Sequence, residues 1–216
     1  AELLALAAIG AYNLHGSLLP KYRGRVPVNW AVLHGETETG VSLHRMEIRP
    51  DAGALVEQQA VAILPNDTAH AVFRKLTCAA EQLLLRCVPL LLQGRARETA
   101  LDLSAGSYFG GRRPEDGRID WRTPAGTVHN LIRAVAPPYP GAFFIIKGVK
   151  LQVLGSYYRA RPAVGAAPRI YWQDGRCRAD CIDGRQLELT TLAIDGELLD
   201  EPGFRARFGT VELDLS

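Results

Sequence analysis

The sequence is poor in several features that mark particular classes of protein. Its 216 residues include only four cysteines, with no CxxC pair and no histidine at zinc-ligand spacing, which argues against a structural zinc site and against a disulfide framework. No apolar run approaches the roughly 20 residues that a membrane-spanning helix needs. The only methionine is Met46, so we expect a piece of a longer protein. These absences favour a cytoplasmic globular protein with reduced cysteines and no membrane partner.

The chain also lacks a strong net charge. Lysine and arginine number 25 against 23 aspartate and glutamate, which gives a formal net charge of +2. A nucleic-acid partner is therefore not expected, because such proteins usually show a stronger basic footprint. A chain of this length can bury a stable core without disulfides or a structural metal. At about 150 residues per domain, its length predicts one or two domains.

The first part of the chain alternates strand and helix patterns, which is typical of an α/β unit. The patterns predict, in order, a strand from residue 11, a helix over 27–35, half-buried strands over 41–48 and 53–63, and one long helix over 66–94.

The second part of the chain is richer in strand patterns. Thr123 and Pro124 predict the N-cap and first residue of a further helix, and a hairpin should turn near Lys147–Gly148. Residues 159–168 are typical of a short linker, and short apolar runs over 169–216 predict a small antiparallel barrel or sandwich. We therefore expect an α/β domain over residues 1–120, a connecting helix and loop over 121–145, and a small β-rich domain over 146–216.

The densest group of reactive residue types is the segment that contains Asn13 and His15. Residues two apart on a strand face the same side, so an amide and an imidazole would share one face. An imidazole can move a proton near neutral pH, and an amide N–H can stabilise an oxyanion. A capping asparagine with a core or turn histidine is the alternative.

Asp51 lies in a turn between Pro50 and Gly53. A carboxylate at this point could orient an imidazole and favour its charged form. A local capping role is the alternative, since aspartates in turns often bond their own backbone.

Two basic groups suit carboxylate or phosphate ligands. One is the loop Lys21–Arg25, and the other joins Arg112 and Arg113 to Arg133; ordinary surface charge is the alternative for both. The remaining histidines have no metal-ligand spacing, and we interpret them as structural or surface residues: His34, His44, His70 and His129.

Three motifs in order resemble the folate-dependent formyltransferase family: NLHGSLLPKYRG from Asn13, GETETGVSLHRM from Gly35, and DAGALV from Asp51. The resemblance is good over roughly residues 11–160 and loose beyond 169. It implies the C-terminal part of a Rossmann-like α/β sheet with flanking helices, followed by a small antiparallel barrel-like domain. The part of that sheet which precedes the first motif in the family has no counterpart here.

The resemblance also implies an activity, the transfer of a formyl group from 10-formyltetrahydrofolate to an amine without a metal. Asn13 would hold the oxyanion, His15 would transfer the proton, and Asp51 would favour the charged form of His15. Folate contacts would come from Arg25, Glu47, Ile48, Arg49, Pro50 and Asp51. Substrate contacts are expected from Arg112, Arg113, Arg133 and Tyr139.

The acceptor is less sharply indicated. Val28-Asn29-Trp30 resembles the sugar-nucleotide N-formyltransferases, in particular those acting on UDP-4-amino-4-deoxy-L-arabinose. Methionyl-tRNA as acceptor and a non-catalytic sugar-nucleotide-binding fragment are the alternatives. A homo-oligomer and a further domain after Ser216 stay open.

Overall fold

The computed structural model describes residues 4, 6–165 and 167–215. Its contacts divide the chain into two compact units. The first unit comprises the described residues up to 31 together with 36–64 and 71–112, and the second comprises 32–35, 65–70 and the described residues from 113 onward.

The first unit contains a small antiparallel sheet and one long helix. Its elements are β1 (Tyr12–His15), β2 (Arg23–Gly24), α1 (Pro27–Leu33), β3 (Glu38–Arg45), β4 (Leu55–Ala62), α2 (Ala69–Leu92) and β5 (Tyr108–Phe109); residues 32–33 of α1 and 69–70 of α2 are counted with the second unit. The sheet has the order β1-β3-β4, and β2 pairs with β5 in parallel.

The central strand, β3, differs from its prediction. It begins at Glu38, three residues earlier than expected, and it is buried without interruption from Thr39 to His44 rather than half-buried. Successive side chains of a strand point to opposite faces, so the buried run means that both faces of β3 are covered, while β1 and β4 pair with its two edges. Residues 46–50, predicted partly as strand, form an exposed loop.

The long helix α2 confirms its predicted spacing. Its buried side chains recur at three- and four-residue steps, namely Val72, Leu76, Ala79, Leu83 and Cys87. The helix contacts β4 through polar groups as well, because the Arg86 Nη2 and Cys87 Sγ atoms lie 3.0 and 3.2 Å from the carboxylate of Glu57. Burial and Glu57 raise the pKa of the Cys87 thiol to about 11.

The second unit is built on a larger antiparallel sheet. Its elements are α3 (Ala125–Val135), β6 (Ala142–Ile146), β7 (Val149–Pro162), β8 (Arg169–Gln173), β9 (Arg176–Asp180), β10 (Arg185–Ile194), β11 (Glu197–Leu198), α4 (Glu201–Phe208) and β12 (Glu212–Asp214). The sheet order is β12-β8-β9-β10-β7-β6, with β11 on β10. Register shifts between β7 and β10 increase the local twist of the sheet and curl it.

The hairpin between β6 and β7 turns where the sequence predicts. Lys147 and Gly148 have φ angles of +47° and +75°, and positive φ at both central residues is the mark of a type I′ turn.

Three local predictions are wrong. Helix α3 is capped by Pro124 rather than Thr123, because the Thr123 hydroxyl donates to the Asp120 carbonyl instead. Much of the predicted linker is strand, since β7 continues to Pro162; its residue 166 lies outside the described residues. Helix α4 was not predicted, although Asp200 caps its start and Gly209 ends it with a φ of +73°.

Among the described residues, no helix is both long enough and apolar enough to cross a membrane.

Candidate active site

Asn13 and His15 lie on β1, and the pairing of β1 with β3 decides what stands opposite them. Asn13 is opposite His44 and His15 is opposite Ser42. Asn13 is half-buried, whereas His15 is only 6% exposed. The predicted amide and imidazole therefore stand beside a second histidine on the neighbouring strand.

Both ring nitrogens of His15 face oxygen atoms. Its Nε2 lies 2.8 Å from the main-chain oxygen of Tyr22, and its Nδ1 lies 3.4 Å from Oδ1 of Asp51. A carbonyl can only accept, so Nε2 carries a hydrogen. A further proton on Nδ1 would face the carboxylate.

Asp51 bridges the turn after β3 to strand β2. Its backbone has a φ of +51°, and its Oδ2 accepts a 2.8 Å hydrogen bond from the main-chain N–H of Gly24. This partner lies 27 residues away, so the carboxylate is not confined to capping its own turn. Oδ1 stays directed at His15 and lies 3.6 Å from Nε2 of His44.

His44 is the functional candidate that the sequence analysis missed, since we interpreted it as a structural or surface residue. It is 2% exposed, and its Nε2 lies 3.3 Å from Nδ2 of Asn13. Its Nδ1 lies 2.9 Å from the main-chain oxygen of Arg45. Burial lowers the pKa of His44. Only the register of β1 against β3 would have revealed this neighbourhood, and strand patterns do not specify register.

Two family models match this chain. Residues 1–88 match the formyl transferase family, and residues 112–197 match the formyl transferase C-terminal domain. The chain belongs to the formyl transferase family.

Solved structures share the fold of this chain. The N-formyltransferase from Helicobacter canadensis, in complex with folinic acid and dTDP-3-aminofucose, is 22% identical over 82% of this chain and 65% of its own, with a TM-score of 0.72. WlaRD, a sugar 3N-formyl transferase determined with dTDP and 5-N-formyl-THF, is 23% identical over 87% of this chain and 66% of its own, also with a TM-score of 0.72.

A third similar structure is HypX from Aquifex aeolicus in complex with tetrahydrofolic acid. It is 19% identical over 91% of this chain and 34% of its own, with a TM-score of 0.68. This chain thus spans about two thirds of the length of the first two structures and one third of HypX. The similarity confirms the predicted fold class, an α/β unit followed by an antiparallel barrel-like unit.

The residues predicted to contact folate belong to the first unit. Residues 47–50 are exposed, and Ile48 is 81% exposed although it is apolar. They lead directly into Asp51. Arg25 is exposed, its main-chain N–H donates to the Phe109 oxygen, and its guanidinium lies against Gly111. Residues 47–50 therefore lie next to the His15–Asp51 pair because they directly precede Asp51 in the chain.

Arg112 ends a stack of aromatic rings in the first unit. Tyr22 and Trp30 stack on Phe109 with ring centroids at 5.3 and 4.9 Å, and the Arg112 guanidinium lies 4.8 Å from the centre of the Trp30 ring. The Trp30 indole donates to the Gly110 oxygen at 3.0 Å. These contacts fix Arg112 against the loop that carries β5.

The other predicted substrate residues belong to the second unit. Arg133 is 5% exposed and donates to Asn130 and to the main-chain oxygen of Asp67, and burial lowers its pKa. Arg113 is exposed, and Tyr139 is half-buried. The roles of Arg112, Arg113, Arg133 and Tyr139 toward a substrate stay predictions. Within the described residues, no group of three or more histidine, cysteine, aspartate or glutamate side chains is placed to hold a metal ion.

Proposed function

We propose that this chain carries the reacting groups of an enzyme that transfers a formyl group from 10-formyltetrahydrofolate to the amine of a nucleotide-linked amino sugar. The observation that carries the proposal is His15, held between the Tyr22 oxygen and the Asp51 carboxylate beside the amide of Asn13. Family membership and the folate ligands of the similar structures support it.

The residues of this site fit a formyl donor. When bound, 10-formyltetrahydrofolate supplies an activated formyl carbon. The formyl oxygen gains negative charge as the amine adds to this carbon, and the folate nitrogen needs a proton in order to leave. Asn13 offers a half-buried amide donor for that oxygen. The exposed apolar side chain of Ile48, on the loop that leads to Asp51, suits a flat ring system.

His15 carries out both proton transfers of the reaction. The amine must lose a proton as its bond to the formyl carbon forms, and the folate nitrogen must gain one as its bond to that carbon breaks. His15 takes the first proton and supplies the second, so its protonation state is restored at the end of the cycle. The Asp51 carboxylate, 3.4 Å from Nδ1, stabilises the charged ring between the two transfers.

A sugar nucleotide is the acceptor we favour. The Helicobacter canadensis structure contains dTDP-3-aminofucose, and a net charge of +2 is small for a tRNA-binding enzyme. Val28-Asn29-Trp30 narrows the proposal to UDP-4-amino-4-deoxy-L-arabinose. Arg112 and Arg113 would then contact the diphosphate.

A three-acceptor assay tests the proposal. The full natural protein is incubated with 10-formyltetrahydrofolate and with UDP-4-amino-4-deoxy-L-arabinose, a dTDP-linked 3-amino sugar, or methionyl-tRNA. Formylation of the UDP sugar is the expected result. Transfer to the dTDP sugar alone would contradict UDP-4-amino-4-deoxy-L-arabinose as the acceptor but keep a sugar nucleotide. Transfer to methionyl-tRNA alone would contradict the proposal that the acceptor is a sugar nucleotide. Binding of a sugar nucleotide without any transfer would favour a non-catalytic module.

A further inference from the structure

The buried histidine beside the reacting pair has no role in the proton transfers described above. We infer that His44 is a positioning residue: it fixes the orientation of the Asn13 amide and leaves the Asp51 carboxylate to His15. This inference rests on the proposed function, because it concerns the same reaction.

The position of the hydrogen on the His44 ring follows from its neighbours. Nδ1 lies 2.9 Å from the Arg45 main-chain oxygen, which can only accept, so Nδ1 carries the hydrogen. The side chain is 2% exposed, and burial disfavours a second proton. Asp51 and Glu47 act in the opposite direction and His15 in the same direction as burial, and the balance lowers the pKa of His44. At neutral pH, Nε2 therefore carries a lone pair.

That lone pair decides which end of the Asn13 amide faces His44. A lone pair attracts an N–H and repels an oxygen, so Nδ2 of Asn13 donates to Nε2 across the 3.3 Å between them. The amide is then fixed against a flip that would exchange its nitrogen and oxygen. One N–H of Nδ2 is used by His44, and the second N–H of the same nitrogen is available for the formyl oxygen.

The same protonation state affects Asp51. Its Oδ1 lies 3.4 Å from Nδ1 of His15 and 3.6 Å from Nε2 of His44. If Nε2 of His44 carried a proton, the two rings would share one carboxylate. Because Nε2 of His44 carries no proton, the negative charge of Asp51 interacts with a proton on His15 alone.

The first test is a double-mutant cycle in the full natural protein. In His44→Phe the acceptor for Asn13 is lost, and we expect kcat to fall about 10-fold or more while KM for both substrates stays within about 3-fold. In His44→Gln the Oε1 atom can accept from Asn13, so part of kcat should return. In an Asn13→Ala background, His44→Phe should have little further effect on kcat. An equal loss of kcat in both backgrounds would mean a merely structural role and would overturn the inference.

The second test does not depend on activity. Long-range proton–nitrogen NMR of the histidine rings at neutral pH should show His44 protonated at Nδ1 only, with the assignment made by comparison with His44→Gln. A hydrogen on Nε2, or on both nitrogens, would contradict the inference even if formyl transfer were confirmed. If none of the three acceptors were formylated, the proposed function would fail while the NMR result still reported on the hydrogen bond from Asn13.

Discussion

At the scale of single residues, His15 and Asp51 differ from ordinary buried polar groups because each has one fixed support and one atom directed at the other. Tyr22 supports His15 and Gly24 supports Asp51, both through main-chain atoms. We expect His15→Ala and Asp51→Asn each to lower kcat in the full natural protein by about 10² or more, the size typical of losing an acid–base group or its charged partner. Turnover of the purified variants checks this.

The control for these variants is His70→Ala, which removes an exposed imidazole at the start of α2. It should keep wild-type turnover. Thermal unfolding must show that all three variants are folded. Near-normal turnover in folded His15→Ala would remove His15 from the proton transfer.

His129 gives a prediction about stability and pH. It is 2% exposed, its Nε2–H donates to the Pro65 oxygen, and its Nδ1 accepts from the Ser156 hydroxyl. Burial lowers its pKa to about 4, so the unfolded chain takes up the proton first as the pH falls. The contribution of His129 is complete above about pH 6.5 and decreases toward pH 4, a loss of about 3 kcal/mol in the free energy of unfolding.

The measurement compares wild type with His129→Gln, which cannot titrate. Urea unfolding at pH 7 and at pH 4.5 should show a larger decrease in the free energy of unfolding for the wild type than for the variant. Equal decreases would mean that other groups account for the acid sensitivity.

At the scale of elements, the pairing of β2 with β5 positions the site. A Cβ atom at Gly24 would clash with the Phe109 main-chain oxygen, and Gly24 has a φ of +98°. Gly24→Ala must therefore move β2 away from β5 and shift the N–H that holds Asp51. We expect a loss of about 1–3 kcal/mol in the free energy of unfolding and a decrease in kcat of about 10-fold or more.

The matched control is Gly110→Ala, because a Cβ at Gly110 would meet nothing within 4 Å. Chemical unfolding and turnover of both variants test the role of the pairing. If Gly24→Ala and Gly110→Ala behaved alike, β2 would not be the support that we describe.

The sequence predicts elements well where one pattern dominates. The spacing of Val72 to Cys87 predicts α2, and Lys147–Gly148 predicts the hairpin. It fails where tertiary contacts decide, as at β3, where residues 39–44 are all buried because both faces of the strand are covered. Likewise the sequence motifs predict Asn13, His15 and Asp51 as candidates. His44 becomes a candidate only when the pairing of β1 with β3 is known, because that pairing places it opposite Asn13. Helix α4 was missed because Pro202 and Gly203 weaken its helical signal.

At the scale of the whole molecule, the four cysteines predict how the folded chain responds to thiol reagents. Cys78 is exposed, whereas Cys87, Cys177 and Cys181 are buried. Burial raises the pKa of all three buried thiols, that of Cys181 to about 12, and the thiolate is the reactive form. A colorimetric thiol assay at pH 8 should count about one reactive thiol in the native protein and four in denaturant.

Cys78→Ser is the control for this assay, since it should abolish the rapid native reaction and leave three thiols in denaturant. Rapid reaction of two or more thiols in the native wild type would show that the burial described here opens in solution.

The support of His15 by the Tyr22 backbone and of Asp51 by the Gly24 backbone has a consequence for protein engineering. Strand β2 is itself held by main-chain bonds from Arg23 to the Ser107 oxygen and from Arg25 to the Phe109 oxygen. Anyone transplanting this chemistry to another scaffold would need the Asn13–His15 strand, the turn at Asp51, residues 22–25 and the distant segment 107–109. A graft of the reactive side chains alone would lack the main-chain groups that hold them in place.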